Sequence, residues 1–295
     1  MSLAADAHAG PVGRRLGTCL AFPSSLIVFF IIMIPIVLMF RYSFNDYDPI
    51  NMMREAFTFE NYLKFFGDAY YRAVFLSTLK VAATCTALAL VLGFPVAYFL
   101  AKTQTRFKSL LIILLVFPLM VGNVVRAAGW MVVLGHAGAA NALMQWLGLI
   151  EQPIKLLYTP LAVIIGTTAV VLPYMILTLQ SVLEGIDFSV EEAAQNLGAN
   201  VWTTFWRVLL PIAAPGVAAG TMLVFILCMN AYATPVLLGG SGITMMAPSL
   251  YGQIAKASNW PFGSTMALIL VVTTLVMALG ANWLIHRRYV KTMGT

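Results

Sequence analysis

Charge is what this sequence has least of. Only 9% of its 295 residues are Asp, Glu, Lys or Arg, where a soluble domain of this size carries about a quarter. With 61% hydrophobic residues and a mean hydropathy of +0.89, the chain reads as an integral membrane protein. Its net charge of +6 offers no nucleic-acid surface, because the basic residues are dispersed at the ends of apolar runs. Cysteine is scarce too. Cys19, Cys85 and Cys228 sit in apolar stretches without paired spacing or nearby histidines, which argues against a disulfide framework and against zinc. They read as small buried hydrophobes. His8, His136 and His286 are far apart and form neither a ligand set nor an acid–base pair, so no metal site and no covalent chemistry are expected. No G-x-x-x-x-G-K-[ST] occurs, so the chain does not itself cradle ATP phosphates, and no cofactor is expected in it. All 11 acidic residues fall in tails or loops. Ion-coupled carriers usually need intramembrane acids or broken-helix ion sites, so a secondary transporter working without an ATPase is the weaker alternative.

What is abundant is apolar sequence in long runs. A helix needs about 20 apolar residues to cross the hydrocarbon core, and six stretches qualify, near 18–40, 79–101, 110–134, 159–183, 213–236 and 264–285. Arg14 and Arg15 precede the first, which is too long for a signal peptide and has no small-residue cleavage site, so it stays as a span. The expectation is an all-α polytopic protein with a tail at 1–17, a membrane domain at 18–285 and a second tail at 286–295. Arg14, Arg15, Lys102, Arg106, Lys108, Arg207, Arg287, Arg288 and Lys291 mark one side as cytoplasmic, nine basic residues against seven. Both termini and the 184–212 loop then face the cytoplasm. On the opposite side, the 41–78 segment is rich in aromatics, and Phe65-Phe66-Gly67-Asp68 reads as a helix end and turn, so short interfacial helices are expected there. A docking surface for an external partner and plain membrane anchoring both fit this segment.

One loop is built differently from the rest. Residues 189–211 read as a soluble helix-turn-helix. Ser189 and Glu192 have the form of a capping box, and Gly198 occupies the position where a helix ends in a left-handed residue. Asn200 caps a second short helix with Trp202, Phe205, Trp206 and Leu209 on one face, and Pro211 stops it. Ala193, Ala194 and Gly198 form a small face that another backbone can approach, while the aromatic face anchors the knuckle to the membrane domain.

Inside the spans, polar side chains are few enough to name. Arg126 is the single charge well within an apolar run, with Pro118 and Gly122-Asn123 breaking the helix before it and Trp130 one turn on for a cation–π contact. Asn123, Tyr174 (after Pro173), Asn230 and Tyr232 are the other candidates for a translocation path; each fits a helix–helix hydrogen bond equally well.

Glu192-Ala193-Ala194, Gly198, Val208, Leu210 and Pro211 resemble, in type and spacing, the EAA motif of permease subunits of ATP-binding-cassette importers. The remainder resembles spermidine/putrescine-type permeases through Thr58-Phe59-Glu60-Asn61-Tyr62, Gly93-Phe94-Pro95, Arg126 with Trp130, Tyr158-Thr159-Pro160, Thr234-Pro235 and Trp260-Pro261-Phe262-Gly263. The resemblance implies the type I importer fold, six spans with a cytoplasmic coupling loop, in a bacterial inner membrane. It implies that Glu192, Ala193, Ala194, Gly198 and Asn200 couple to an ATPase. The implied partners are two ATP-binding subunits that hold ATP and Mg, a second permease subunit and a periplasmic solute-binding protein. The solute class stays open among polyamine, opine and amino-acid-like molecules, since Asn230-Ala231-Tyr232 and Ser258-Asn259 stand where relatives often carry an acid.

Overall fold

A computed structural model describes residues 11–240 and 242–293, and side chains are described over 22–240 and 242–280. The ends of both expected tails and the Cys19 side chain lie outside these. The helices in chain order are α1 (Pro11–Tyr42), α2 (Glu60–Gly67), α3 (Ala69–Lys102), α4 (Lys108–Met120), α5 (Asn123–Leu134), α6 (Ala139–Trp146), α7 (Pro160–Leu183), α8 (Ser189–Asn196), α9 (Val201–Thr204), α10 (Leu210–Met229), α11 (Met246–Tyr251) and α12 (Trp260–Met293). Among the described residues β-pairing is limited to one bridge between Asp46 and Arg54. Six helical segments are long and apolar enough to cross a membrane: Phe22–Tyr42, Ala69–Lys102, Asn123–Trp146, Pro160–Leu183, Val201–Met229 and Trp260–Gly280. The all-α, six-span reading therefore holds.

Three spans differ from their expected bounds, each for a local reason. α3 begins at Ala69 and not near 79, because the Asp68 carboxylate accepts the Tyr70 N–H at 2.8 Å and starts the helix there. The stretch near 110–134 is two helices. Val121 and Gly122 are extended between α4 and α5, and α4 by itself is too short to be a span. The fifth span starts early because α9 runs through a π-helical turn (Phe205–Leu209) directly into α10. Pro211 therefore does not stop the helix. In the widened turn the Leu210 N–H reaches back to the Phe205 carbonyl, and Pro211, which has no N–H to place, continues it as an N-terminal residue of α10.

The chain divides into two compact units, one of Met1–Lys64 with Gln253–Leu268 and the other of Phe65–Gly252 with Ile269–Thr295. In the first, the aromatics of the 41–78 segment gather on Phe44, which stacks on Phe57 at 4.7 Å and meets Phe40, Phe59 and Tyr62. Asn61 Nδ2 donates to the Ser43 and Asn45 carbonyls at 3.1 and 2.9 Å, and Thr265 Oγ1 donates to the Ser43 carbonyl at 3.2 Å. Asp46, Asp48, Arg54, Glu60, Lys64 and Asn259 contribute to the lining of a polar hollow of about 410 Å³ in this unit.

The core of the second unit is the packing of α3, α7 and α10. α3 buries Thr78, Ala82, Cys85, Ala89, Gly93 and Ala97 along one stripe, so small residues line its contact side. Water is missing from a bilayer, and apolar burial drives helices together no better than lipid does. Close backbone approach is what remains, and it requires such residues. Cys85 and Cys228 meet here across α3 and α10 as free, fully buried thiols. Gly216 of α10 is among the tightest: a Cβ there would lie 2.2 Å from Val182 Cγ1 of α7. Val182 is β-branched and stiff. Gly216→Ala is expected to destabilise this unit by about 1–3 kcal/mol. A heating series in mild detergent followed by size exclusion would show it. Gly129→Ala, where a Cβ meets nothing within 4 Å, should match or exceed wild type.

Candidate functional site

The helical knuckle at 189–211 forms, with altered details. α8 is started by Asp187, whose Oδ1 accepts the Ser189 N–H at 2.9 Å, while Phe188 occupies the cap position. The expected Ser189–Glu192 capping box does not form, because the aspartate two residues earlier takes the donor. Those same bonds from Ser189 hold the Asp187 carboxyl below its ordinary range. The helix ends as expected. Gly198 has φ +89°, its N–H bonds to the Gln195 carbonyl at 2.9 Å, and the Ala199 N–H bonds to the Ala194 carbonyl at 3.1 Å. This is a Schellman close, which only glycine enters without strain. Asn200 then caps α9, its Oδ1 accepting the Thr203 N–H at 2.7 Å.

Which faces point outward differs from the expectation. Trp202 and Trp206 are 74% and 60% exposed, whereas Leu209 is buried and Phe205 meets the Phe94 ring edge-on at 5.3 Å. Trp202, Phe205 and Trp206 share one side, where they help line an apolar groove of about 720 Å³ against Phe94, Pro95 and Tyr98 of α3, and of the four expected residues only Leu209, at the far end of the π turn, does not line it. On α8, Glu192, Ala193 and Gly198 are exposed, Ala194 is half-buried, and Leu197 is 89% exposed. The helix thus presents an open outer face.

Its inner face is closed by a residue that sequence reasoning passed over. Glu191 is 8% exposed, and both its oxygens accept from the Tyr98 hydroxyl, at 2.7 and 2.9 Å. Lys102 Nζ lies 3.2 Å from Glu191 Oε2 and 3.2 Å from Tyr98 Oη. Two adjacent glutamates stand in the sequence, and only the fold decides which one turns inward. A second tie lies nearby. Lys108 at the start of α4 pairs with Glu184 at 2.8 Å, and Gln180 donates to the same carboxylate at 3.0 Å. The Lys108 bond, and then Gln180, hold the Glu184 carboxyl below its ordinary value. With a lowered folded pKa, the stabilisation is present above the unfolded value and is lost only as pH falls through the folded one.

Away from the knuckle, four of the six path candidates meet. Asn123, Tyr174, Asn230 and Tyr232 line one cavity of about 290 Å³ between α5, α7 and the end of α10, together with Thr167 and Thr234. Arg126 and Trp130 do not line it. Arg126 Nη2 donates to Asn123 Oδ1 and so touches the cavity wall indirectly, and the guanidinium turns toward Asn123 instead of lying over the Trp130 ring. Arg126 Nε and Nη1, and Thr167 Oγ1, are buried without a hydrogen-bond partner among the described residues. Thr167 is a lining residue that sequence reasoning missed; a hydroxyl in an apolar span was the available signal, diluted by other threonines.

Residues 86–289, which hold the knuckle, the cavity, α7, α10 and the second half of α3, match the family described as binding-protein-dependent transport system inner membrane component. The chain belongs to that family. This permease is 33% identical over 267 residues to the spermidine/putrescine transport system permease protein PotB of Haemophilus influenzae, covering 90% of this chain and 93% of that one. It is 33% identical to PotB of Escherichia coli K12 over 84% of this chain and 90% of its relative. In fold it is similar to a chain of a bacterial alginate ABC transporter crystallised with an alginate pentasaccharide-bound periplasmic protein, with a TM-score of 0.73 at 16% identity over 93% of this chain and 96% of that one. The protein is accordingly a multi-pass permease subunit of an ABC importer.

The cap on α9 is open to direct test. Asn200→Ala in the permease is expected to cost about 1 kcal/mol locally, seen as a rise of about five-fold in hydrogen exchange of the Val201–Thr204 amides. Asn200→Ser should restore protection.

Proposed function

We propose that this permease carries a small organic solute of the polyamine, opine or amino-acid-like class into the cytoplasm, with the outer face of α8 docked on an ATP-binding subunit. The observation that carries this is the exposed set Glu192, Ala193, Leu197 and Gly198 on a short helix whose opposite side is tied down by a buried carboxylate. Leu197 in this set is 89% exposed and lies outside the apolar spans, so a docked partner would bury it. In this reading α8 and both termini face the cytoplasm, and two ATPases supply ATP and Mg from separate chains. A homologous permease completes the path. A periplasmic binding protein delivers the solute to the outer surface, where the polar hollow of Asp46, Arg54, Glu60 and Lys64 offers both signs of charge. Among the translocation residues, Asn123, Tyr174, Asn230, Tyr232 and Thr167 form the wall, and Arg126 stands behind Asn123. The relatives named for spermidine and putrescine favour a polyamine. The cavity wall would meet it with hydroxyl, amide and phenol groups, leaving the choice of solute largely to the binding protein.

The test is purification of the tagged chain from its own membrane in mild detergent. Wild type is expected to bring an ATPase and a second permease, with hydrolysis stimulated by the loaded binding protein. Leu197→Asp should lower the recovered ATPase by about ten-fold, since it places a charge in a packed interface centre. A wild-type chain that purifies alone and moves solute only under an ion gradient would overturn the reading in favour of a secondary carrier.

A further inference from the structure

We propose that Tyr98, Lys102 and Glu191 form a strut through which displacement of α8 is delivered to α3, and that Glu191, not its neighbour Glu192, is the positioning carboxylate of the knuckle. The proposal rests on the reading of α8 as the ATPase-docking helix. It starts from an imbalance. α8 has eight residues, and Ala193 and, just past its end, Gly198 lie outward. A helix this short has little to hold it in register with the membrane domain when pushed. Yet one of its side chains is a carboxylate that has been taken out of water, which is unfavourable unless its oxygens are matched by donors.

The match is directional. The Tyr98 hydroxyl bridges both carboxylate oxygens at 2.7 and 2.9 Å, and Lys102 Nζ closes the triangle at 3.2 Å to Glu191 Oε2 and 3.2 Å to Tyr98 Oη. Lys102 also stands 5.5 Å from the Tyr98 ring centroid and 5.7 Å from that of Phe188, the residue capping α8. Tyr98 and Lys102 are one turn apart at the end of α3, and Phe188 and Glu191 are nearly one turn apart at the start of α8. Two points on each helix are therefore fixed, which transmits tilt as well as translation. A greasy contact would let one helix slide on the other, whereas charge-assisted bonds to a phenol and an ammonium are short and angle-dependent.

What the strut moves is also visible. α3 packs along α7 and α10 through its small-residue stripe, with Gly93 against Met175 and Ile176 of α7. α7 and α10 supply Thr167, Tyr174, Leu227 and Asn230 to the cavity wall. The line from α8 to the cavity thus runs through three helices in contact, with the triad as its first joint. Proximity alone is not coupling, so the test reads coupling itself.

The complete importer is reconstituted in liposomes with its binding protein, and solute taken up per ATP hydrolysed is measured per assembled complex. Glu191→Gln is expected to lower this ratio by about ten-fold, the scale of a hydrogen bond to a charged group. Tyr98→Phe should lower it too, and the Tyr98→Phe/Glu191→Gln pair should fall no further than Glu191→Gln alone, because both remove one joint. Lys102→Met should reduce the ratio and Lys102→Arg should keep it. A merely structural role would change how much complex assembles and leave the ratio where it was. An unchanged ratio in assembled Tyr98→Phe and Lys102→Met complexes overturns the strut, as does reduced assembly of the variants with no change in ratio. If instead the wild-type preparation shows no ATP-linked uptake, the importer reading itself has failed, an outcome distinct from failure of the strut.

Discussion

Close approach of helix backbones in a medium without water is the constraint on which the second unit depends. Lipid chains are as apolar as leucine, so burial gives little reason for α3, α7 and α10 to prefer each other to the bilayer. What they have is shape. Gly93, Ala97, Gly216 and Gly220 remove side-chain bulk where the helices meet, and Val182, Met175 and Ile176 fill the space left. The cavity follows from this arrangement, because it opens where the small-residue contact gives way to Tyr174, Asn230 and the end of α10. A wall made of interlocked helices changes shape only when one of them is displaced.

The knuckle solves the opposite problem. At the end of the bundle that carries α8, water and charge are available, and the contacts there are few, polar and directional. Glu191 with Tyr98 and Lys102, and Glu184 with Lys108 and Gln180, are two such ties, the first joining α8 to α3 and the second joining α4 to the end of α7. Exposed ion pairs contribute little to stability, and Lys102 keeps about half of its side chain in solvent. Their value here lies in geometry: a tie that resists tilt is useful even where its contribution to folding is small.

Much of this was legible in the sequence, and what was missed has physical causes. The long apolar runs gave the spans, and residues with a single dominant conformational preference gave the helix ends, as with Gly198 in its left-handed close and Asn200 as a cap. The errors cluster where the 3.6-residue period fails. The π turn at Phe205–Leu209 carries α9 on into α10, which is why Pro211 lies inside a helix. Likewise the Ser189–Glu192 pair satisfies a pattern, but Asp187 reaches the donor first. Glu191 was invisible for another reason. Its partner Tyr98 lies 93 residues earlier, and no local period distinguishes Glu191 from Glu192.

The same distinction sets the division of labour along the chain. In the proposed reading, outward residues of α8 follow a recognisable motif because an ATP-binding subunit reads them, so type and spacing are fixed together. The inward residue answers only to its own fold, and any phenol and ammonium brought to the right place would serve. The π turn belongs with the inward set: by continuing α9 into α10 without a break, it makes the second arm of the knuckle and the fifth span one continuous helical segment. α8 therefore has two routes into the membrane domain, a polar joint to α3 and a covalent one through Gly198 to α10. The two helices it reaches are packed on each other and on α7. In the proposed reading, motion imposed on α8 would reach both sides of that packing, along which the cavity wall between α7 and α10 lies.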